Sequence, residues 1–586
     1  MRLVTAILAF IIAFLSIGYG IAQRTILAEP DHVAAVTSSA TSATVTVIDG
    51  ETLNSNPGRQ KILIQGPGKI FAAYGRTSDV LAWVGEATYN KLSFIRKTSQ
   101  LRSNIVTGQD ISVPDPHGSD LWYGEYSDEG TLTFVVNVPQ DISIIILSDG
   151  SRPAPGAISI TWPVDNRTPW SGPLIVFGML LLLAGIGVYL WAISDLRRGR
   201  GPRRRMPKMP RPPKPKTPRG KKPSVTKGLR GRRAAGQTLS LTSLTVVMGL
   251  ALSGCTAQSW PEFLAHNSTP SATVSPSPSG APTGLDKPPV VTVQQAEAIV
   301  SRVASVATKA DASRDSNLLK SRFDGPALAL RETNYQIRGR DSSYASPAAI
   351  PSAPVQITLP QQNDNWPRTL FTVVQDPNDP TIPPTAMMLV QQTPRDNYKA
   401  IYVFRLEAKE GGLPALPAAN VGTARLQPDA KLFALLPNQL AKDYGDVILK
   451  GEKSEFYKFF DLSDDSLIKS VGYDAKQKRK ASIPSIAEID FSVLPGDAEI
   501  IPLATSNNGA IVATYLTESE TVKPVEIGAV INPEGAVKSL VGISSSSKGT
   551  VATYGDLLLF YLPPSTSDNK IRLIGWNSGL ISAGEL

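Results

Sequence analysis

The chain has a single cysteine, Cys255, and only three histidines, His32, His117 and His266, in 586 residues. One cysteine excludes an internal disulfide and any cysteine-rich zinc site. Beyond His266, any chemistry has to run without imidazole. Acidic residues are missing from Leu196 through Pro261. Into that gap fall 17 lysines and arginines between Arg197 and Arg233, more than the net charge of +9 carried by the whole chain. Several enzyme signatures are absent as well. No D-x-D occurs for a metal-bound sugar nucleotide, and Gly66-Pro67-Gly68 lacks the third glycine of a dinucleotide loop. Gly575-Trp576-Asn577-Ser578-Gly579 is not a nucleophile elbow.

Three apolar runs stand against these absences. Residues 3–22 form an uncharged stretch of about 20 residues, the length that crosses roughly 30 Å of hydrocarbon as a helix. It reads as an uncleaved signal anchor, with a cleaved signal as the alternative, so that residues 1–24 are a first membrane segment. Residues 174–193 are equally apolar, with Trp170, Tyr189 and Trp191 near the two ends, and define a second span over 172–194. Arg197, Arg198, Arg200, Arg203, Arg204 and Arg205 follow at once. By the positive-inside rule they place that end in the cytoplasm and residues 31–168 outside.

The third run, within residues 238–255, is shorter and richer in serine and threonine. Arg230, Arg232 and Arg233 precede it, and it ends in Leu252-Ser253-Gly254-Cys255, which resembles the lipobox of bacterial lipoproteins. The resemblance implies acylation of the Cys255 thiol and cleavage before it. The alternative is a plain third span. Either way the chain after Cys255 is exported.

Residues 196–237, rich in Lys, Arg, Pro and Gly, read as an extended cytoplasmic loop facing anionic lipid. No aromatic residues interleave to stack on bases, so nucleic acid is not expected as a partner. Residues 256–289 are a Ser/Pro/Thr linker. Between the first two spans, short β-type runs at 44–48, 61–65, 69–74, 80–84, 131–138 and 142–147 predict an all-β, sandwich-like domain over 31–168, a small antiparallel sandwich or barrel. Asp128-Glu129-Gly130 is read there as a hairpin turn, and His117 as a loop residue.

After the linker, Thr292 and Gln295 form a capping box ahead of apolar residues at helical spacing, and Pro326 opens a second helix. Strands follow near 370–375, 386–391 and 400–406. The order then repeats: a helix from Pro437, a helical stretch at 455–460, and strands near 510–516 and 556–562 joined to a tight turn at Asn508-Gly509. This predicts two α+β domains in tandem, 290–415 and 416–586, and the element order resembles the NTF2-like or cystatin-like cone.

The opening residues, the 158–167 stretch, the basic tract, Trp366-Pro367-Arg368 and 557–563 together resemble a family of uncharacterised actinobacterial membrane proteins. That likeness implies an envelope location and no mechanism. Ser466-Leu467-Ile468-Lys469 and Ser567-Asp568-Asn569 match two motifs of penicillin-binding proteins, but Lys548-Gly549-Thr550 reverses the third and precedes the second. Ser463 reads instead as a helix cap. The sequence therefore predicts a multidomain, multi-pass cell-membrane protein with large extracytoplasmic domains. It assigns no catalytic residue, metal ligand or cofactor. The expected function is non-catalytic binding of an envelope protein, lipid or wall polymer, with membrane lipid as a second partner. The alternative is a cell-wall transferase or hydrolase using outward-facing carboxylates.

Overall fold

A computed structural model describes residues 2–27, 30–37, 41–164, 168–198, 288–379, 381–407 and 412–586. Arg200, Arg203, Arg204, Arg205 and the whole lipobox, Leu252, Ser253, Gly254 and Cys255, lie outside the described residues. The chain divides into two compact units.

The first unit holds two helices, Arg2–Arg24 and Ser171–Arg198, each long and apolar enough to cross a membrane. They pack antiparallel along a seam of small residues. Ala6, Ala13 and Gly20 recur at seven-residue spacing on one helix, and Gly178, Gly185 and Ala192 do so on the other. The approach is close enough that a Cβ on Gly178 would lie 2.9 Å from the Ala13 carbonyl oxygen, and one on Gly20 would lie 3.1 Å from that of Ser171. Small side chains that let backbones meet are what associate helices where lipid removes the hydrophobic drive. Arg197 sits in the last turn of the second helix.

The second unit contains both folded regions. Its N-terminal part is an eight-stranded sheet of strands β1 (His32–Thr37), β2 (Val45–Ile48), β3 (Gln60–Arg76), β4 (Tyr89–Ile95), β5 (Gln100–Val106), β6 (Gly124–Val136), β7 (Ile142–Leu147) and β8 (Ala157–Pro163). The order β6-β3-β7-β2-β4-β5-β1-β8, with β8 also paired to β3, closes a barrel. Of the two forms expected, sandwich and barrel, the structure has the barrel, because β3 is long enough to pair with β6, β7 and β8.

Two local expectations are overturned here. Residues 80–84 are not a strand but part of a helix, Thr77–Val84, in which Asp79, Val80, Trp83 and Val84 are buried at helical spacing and Gly85 (φ 60°) ends it. Asp128-Glu129-Gly130 lies inside β6 opposite Gly66-Pro67-Gly68, where β3 is bulged between Gln65 and Lys69. The two glycine clusters are one kink in a ribbon, not a hairpin.

The C-terminal part is one nine-stranded sheet: β9 (Val355–Pro360), β10 (Arg368–Val374), β11 (Thr385–Gln391), β12 (Lys399–Leu406), β13 (Ala487–Pro495), β14 (Ile501–Ala504), β15 (Ala510–Pro524), β16 (Thr550–Leu562) and β17 (Arg572–Glu585). Its order is β13-β15-β16-β17-β12-β11-β10-β9, with β14 on β15. The expected tandem domains are therefore a single domain. β17 joins the two strand sets by pairing Arg405 with Trp576 and Leu406 with Gly575.

Burial explains why two units were expected. Along β15 and β16, Ile511, Ala513, Leu557 and Leu559 point into one core, covered by the helices Val293–Ser313 and Gly325–Arg340. The alternate residues Ala510, Val512, Leu558 and Phe560 point into another, covered by the helix Leu440–Lys450. Each set of helices lines one face of the same sheet, so the repeated order of helices then strands records two layers. Two of the three predicted helix starts stand, while the helix expected from Pro437 begins at Leu440 after a turn. Thr292 and Gln295 make the capping box, and Pro326 lies in the first turn after Asp324. Residues 455–460 give only a single 3₁₀ turn, Tyr457–Phe459.

Candidate functional site

Among the places in the second unit where described charged side chains gather out of water, two bear on function. The first is where the barrel meets the C-terminal sheet. Asp120 of the barrel is buried, and its carboxylate accepts from Arg302 Nη1 at 2.8 Å, from Arg322 Nη1 and from the Tyr398 backbone N–H at 2.8 Å. Its own N–H donates to Asn397 Oδ1 at 3.0 Å. Asp79 accepts from Arg368 Nη2 at 2.7 Å, both side chains being almost wholly buried. The Arg368 guanidinium stacks 3.7 Å over the Trp366 ring, which packs against the barrel core. Arg395 donates to the carbonyls of Trp83 and Val84, completing the last turn of the Thr77–Val84 helix. Gln295 has two roles. Its Oε1 caps the Val293–Ser313 helix, while its Nε2 donates to the carbonyls of Asp120 and Leu121.

The second place is a cleft of about 300 Å³ beside the sheet, where the helices Ser466–Val471 and Tyr473–Ser482 lie next to β13, β15, β16 and β17. Glu518 and Glu520 sit two residues apart on β15 and so share a face; Tyr554 and Asp556 line the same wall from β16. Lys476 reaches in from the helix. Its Nζ meets Glu518 at 2.8 Å, donates to the Val471 carbonyl at 2.6 Å and lies 5.0 Å from the Phe491 ring centre. Arg479 pairs with Glu520 at 3.0 Å.

Asp556 is the unusual member. It is 1% exposed, and its Oδ2 has no hydrogen-bond partner. Burial pushes its carboxyl up to about 6, against the opposing effect of Ser578 across the strand pair. Burial also raises Glu518, with Lys476 opposing. A carboxylic acid that stays protonated in mildly acidic medium can donate as well as accept a hydrogen bond. That suits recognition of a polar, hydroxyl-rich ligand and equally suits acid–base work.

None of the charged residues of the cleft was singled out from sequence. The signal for Glu518 and Glu520 was present in an acid at every second position, which places both on one face of a strand. It was lost because the strand was expected to stop at 516. The serine–lysine motif leads elsewhere. Ser466 Oγ is held by Glu407 and by Trp576 Nε1 at 2.8 Å, and Lys469 lies 3.7 Å from Asp464. The cap of that helix is Asp465, which accepts from Ile468 N–H at 2.9 Å, whereas Ser463 donates to Asp461. His117 pairs with Asp115 at 2.5 Å in its exposed loop and stacks on Phe71. Among the described residues, no group of three or more His, Cys, Asp or Glu is arranged to hold a metal ion.

Residues 287–585, which hold the nine-stranded sheet and the cleft, match the family model described as a domain of unknown function, DUF8094. The chain belongs to this family. The match runs through residue 415 without a break, in keeping with one domain rather than two. No curated protein and no solved structure matches the chain. The cleft and the arginines that meet the barrel are thus features of the DUF8094 domain, while Asp79 and Asp120 lie outside it.

Proposed function

We propose that this is a multi-pass cell-membrane protein of a bacterial envelope that presents its barrel and DUF8094 domain on the extracytoplasmic side as a non-catalytic binding scaffold. One observation carries this reading: the barrel and the DUF8094 domain share buried bonds through Asp120 and Asp79. Those bonds support placing both on the same side of a membrane. If the helix Ser171–Arg198 takes the chain across, it has to return before residue 288. Residues 238–255 have the composition to do so, and the 17 basic residues ahead of them belong on the cytoplasmic side. The small-residue seam gives the first apolar helix a partner in the membrane, which supports a retained anchor over a cleaved signal. Protease added to intact protoplasts should remove a tag at the C-terminus and spare one placed near Thr217. Loss of the Thr217 tag would overturn the topology.

In the same reading Cys255 is acylated and the chain is cut before it. Palmitate label on the C-terminal half should disappear in Cys255→Ala, and label that persists there would refute the assignment. The scaffold takes an envelope protein, a lipid or a wall polymer, and the protonatable wall of the cleft favours a hydroxylated ligand. A second reading, a wall-directed hydrolase or transferase, draws on the same Asp556. It is less favoured because Lys476 and Arg479 hold Glu518 and Glu520 in ion pairs.

A further inference from the structure

We propose that the barrel and the DUF8094 domain are a self-sufficient pair, held by their shared surface alone, so that they remain assembled as two polypeptides when the chain between them is cut.

The surface has the make-up of an interface between proteins. Its charges are mostly sorted by side: carboxylates of Asp79, Asp110 and Asp120 on the barrel, guanidinium groups of Arg302, Arg322, Arg368 and Arg395 on the DUF8094 domain, with Arg76 of the barrel as an exception. Complementary charge of this kind selects and orients a partner. At its centre the charged groups are desolvated, since Arg322 and Arg368 are 6% and 1% exposed, and Trp366 supplies an aromatic anchor against the barrel core. Buried arginine and tryptophan ringed by neutral contacts are the pattern of interface hot spots.

Several barrel groups at this surface find partners across it, while Arg368 Nε and Nη1 on the other side are buried without one. The carbonyls of Trp83 and Val84 receive Arg395, those of Asp120 and Leu121 receive Gln295, and Arg76 donates to the Pro289 carbonyl. The family match supplies a separate argument. It begins at residue 287 and excludes the barrel, so the arginine-bearing face belongs to a module defined without the partner that buries it. A covalent link between two such partners adds effective concentration.

The test uses the full chain in membranes, with a specific protease site inserted after Gly280. That position follows Cys255, so cutting frees the DUF8094 domain from every membrane segment and from any lipid on Cys255. After the cut, the fragment is expected to stay with the membranes through a wash at about 1 M salt, where exposed charges are screened beyond roughly 3 Å. In the double variant Asp79→Ala with Asp120→Ala, release of the cut fragment rises by about 30-fold or more. Arg395→Ala, which removes contacts at the edge of the surface, serves as a milder second variant and is expected to give intermediate release. Appearance of the unsubstituted fragment in the soluble fraction on cutting overturns the proposal. So does equal retention of the wild-type, Arg395→Ala and double-variant fragments, which would show that something other than this surface holds the domain.

Discussion

Asp120→Ala lowers the unfolding free energy of the unit formed by barrel and DUF8094 domain by about 3–5 kcal/mol. The size comes from what is left behind rather than from the attraction removed. A buried ion pair is close to neutral against apolar residues of the same shape, because taking both charges out of water offsets most of their attraction. Removing only the acid leaves the Arg322 guanidinium buried, with the Tyr398 carbonyl at 3.4 Å as its remaining acceptor. It also strips the acceptor from the Tyr398 N–H. Denaturant unfolding followed by tryptophan fluorescence measures the loss. A decrease below about 1 kcal/mol would show that the site is wetter than its burial states.

Asp556→Asn acts in the opposite direction. It is expected to stabilise the DUF8094 domain at pH 7 by about 2–3 kcal/mol, from roughly two pH units of displacement at about 1.4 kcal/mol each. The carboxyl titrates near 6 in the folded chain against 3.8 in the open. Between those values the folded state keeps a proton that the unfolded state releases, so stability falls as pH rises from about 4 to about 6 and is level above. Asparagine has no such transition, and its amide can donate where the unpartnered oxygen could not. Asp443, also raised to about 6 by burial, leaves part of the slope in place. Thermal unfolding of both forms at pH 4, 5, 6 and 7 decides the matter. Equal pH slopes, or a less stable variant at pH 7, would refute it. A carboxylate that costs stability where it stands is a mark of a site kept for use, which is why the cleft is the favoured ligand site.

Much of the architecture was legible wherever a local rule acts alone. The capping box at Thr292 and Gln295, the proline at 326, the turn at Asn508 and the apolar run 144–147 of β7 need no knowledge of the rest of the chain. The apolar helices were legible for the same reason. What failed was pairing over distance. Residues 80–84 carry two valines and a tryptophan and look extended, but Trp83 and Val84 are buried because the helix they form packs on the barrel. One sheet was read as two domains because its two cores take alternate residues of the same strands. The interface was invisible for a plainer reason. Asp120 and Arg322 are 202 positions apart, and nothing in the neighbourhood of either shows that it will be buried. Asp556 stands at the head of an apolar run that reads as core, so its carboxylate looked like a strand end.

β17 has a consequence for how the chain reaches its fold. It follows every other strand in sequence, yet it lies between β16 and β12, in the middle of the sheet. Until it emerges, β9 to β12 and β13 to β16 are two separate sheets, each with a long open edge ready to pair with any extended segment nearby. Synthesis proceeds from the N-terminus, so the domain is without its keystone until β17 has been made. Pairings this distant in sequence form slowly. The protein therefore has most need of a folding helper in the interval before its last strand arrives, and a chain stopped short of Arg572 would yield two exposed half-sheets instead of a domain missing its edge.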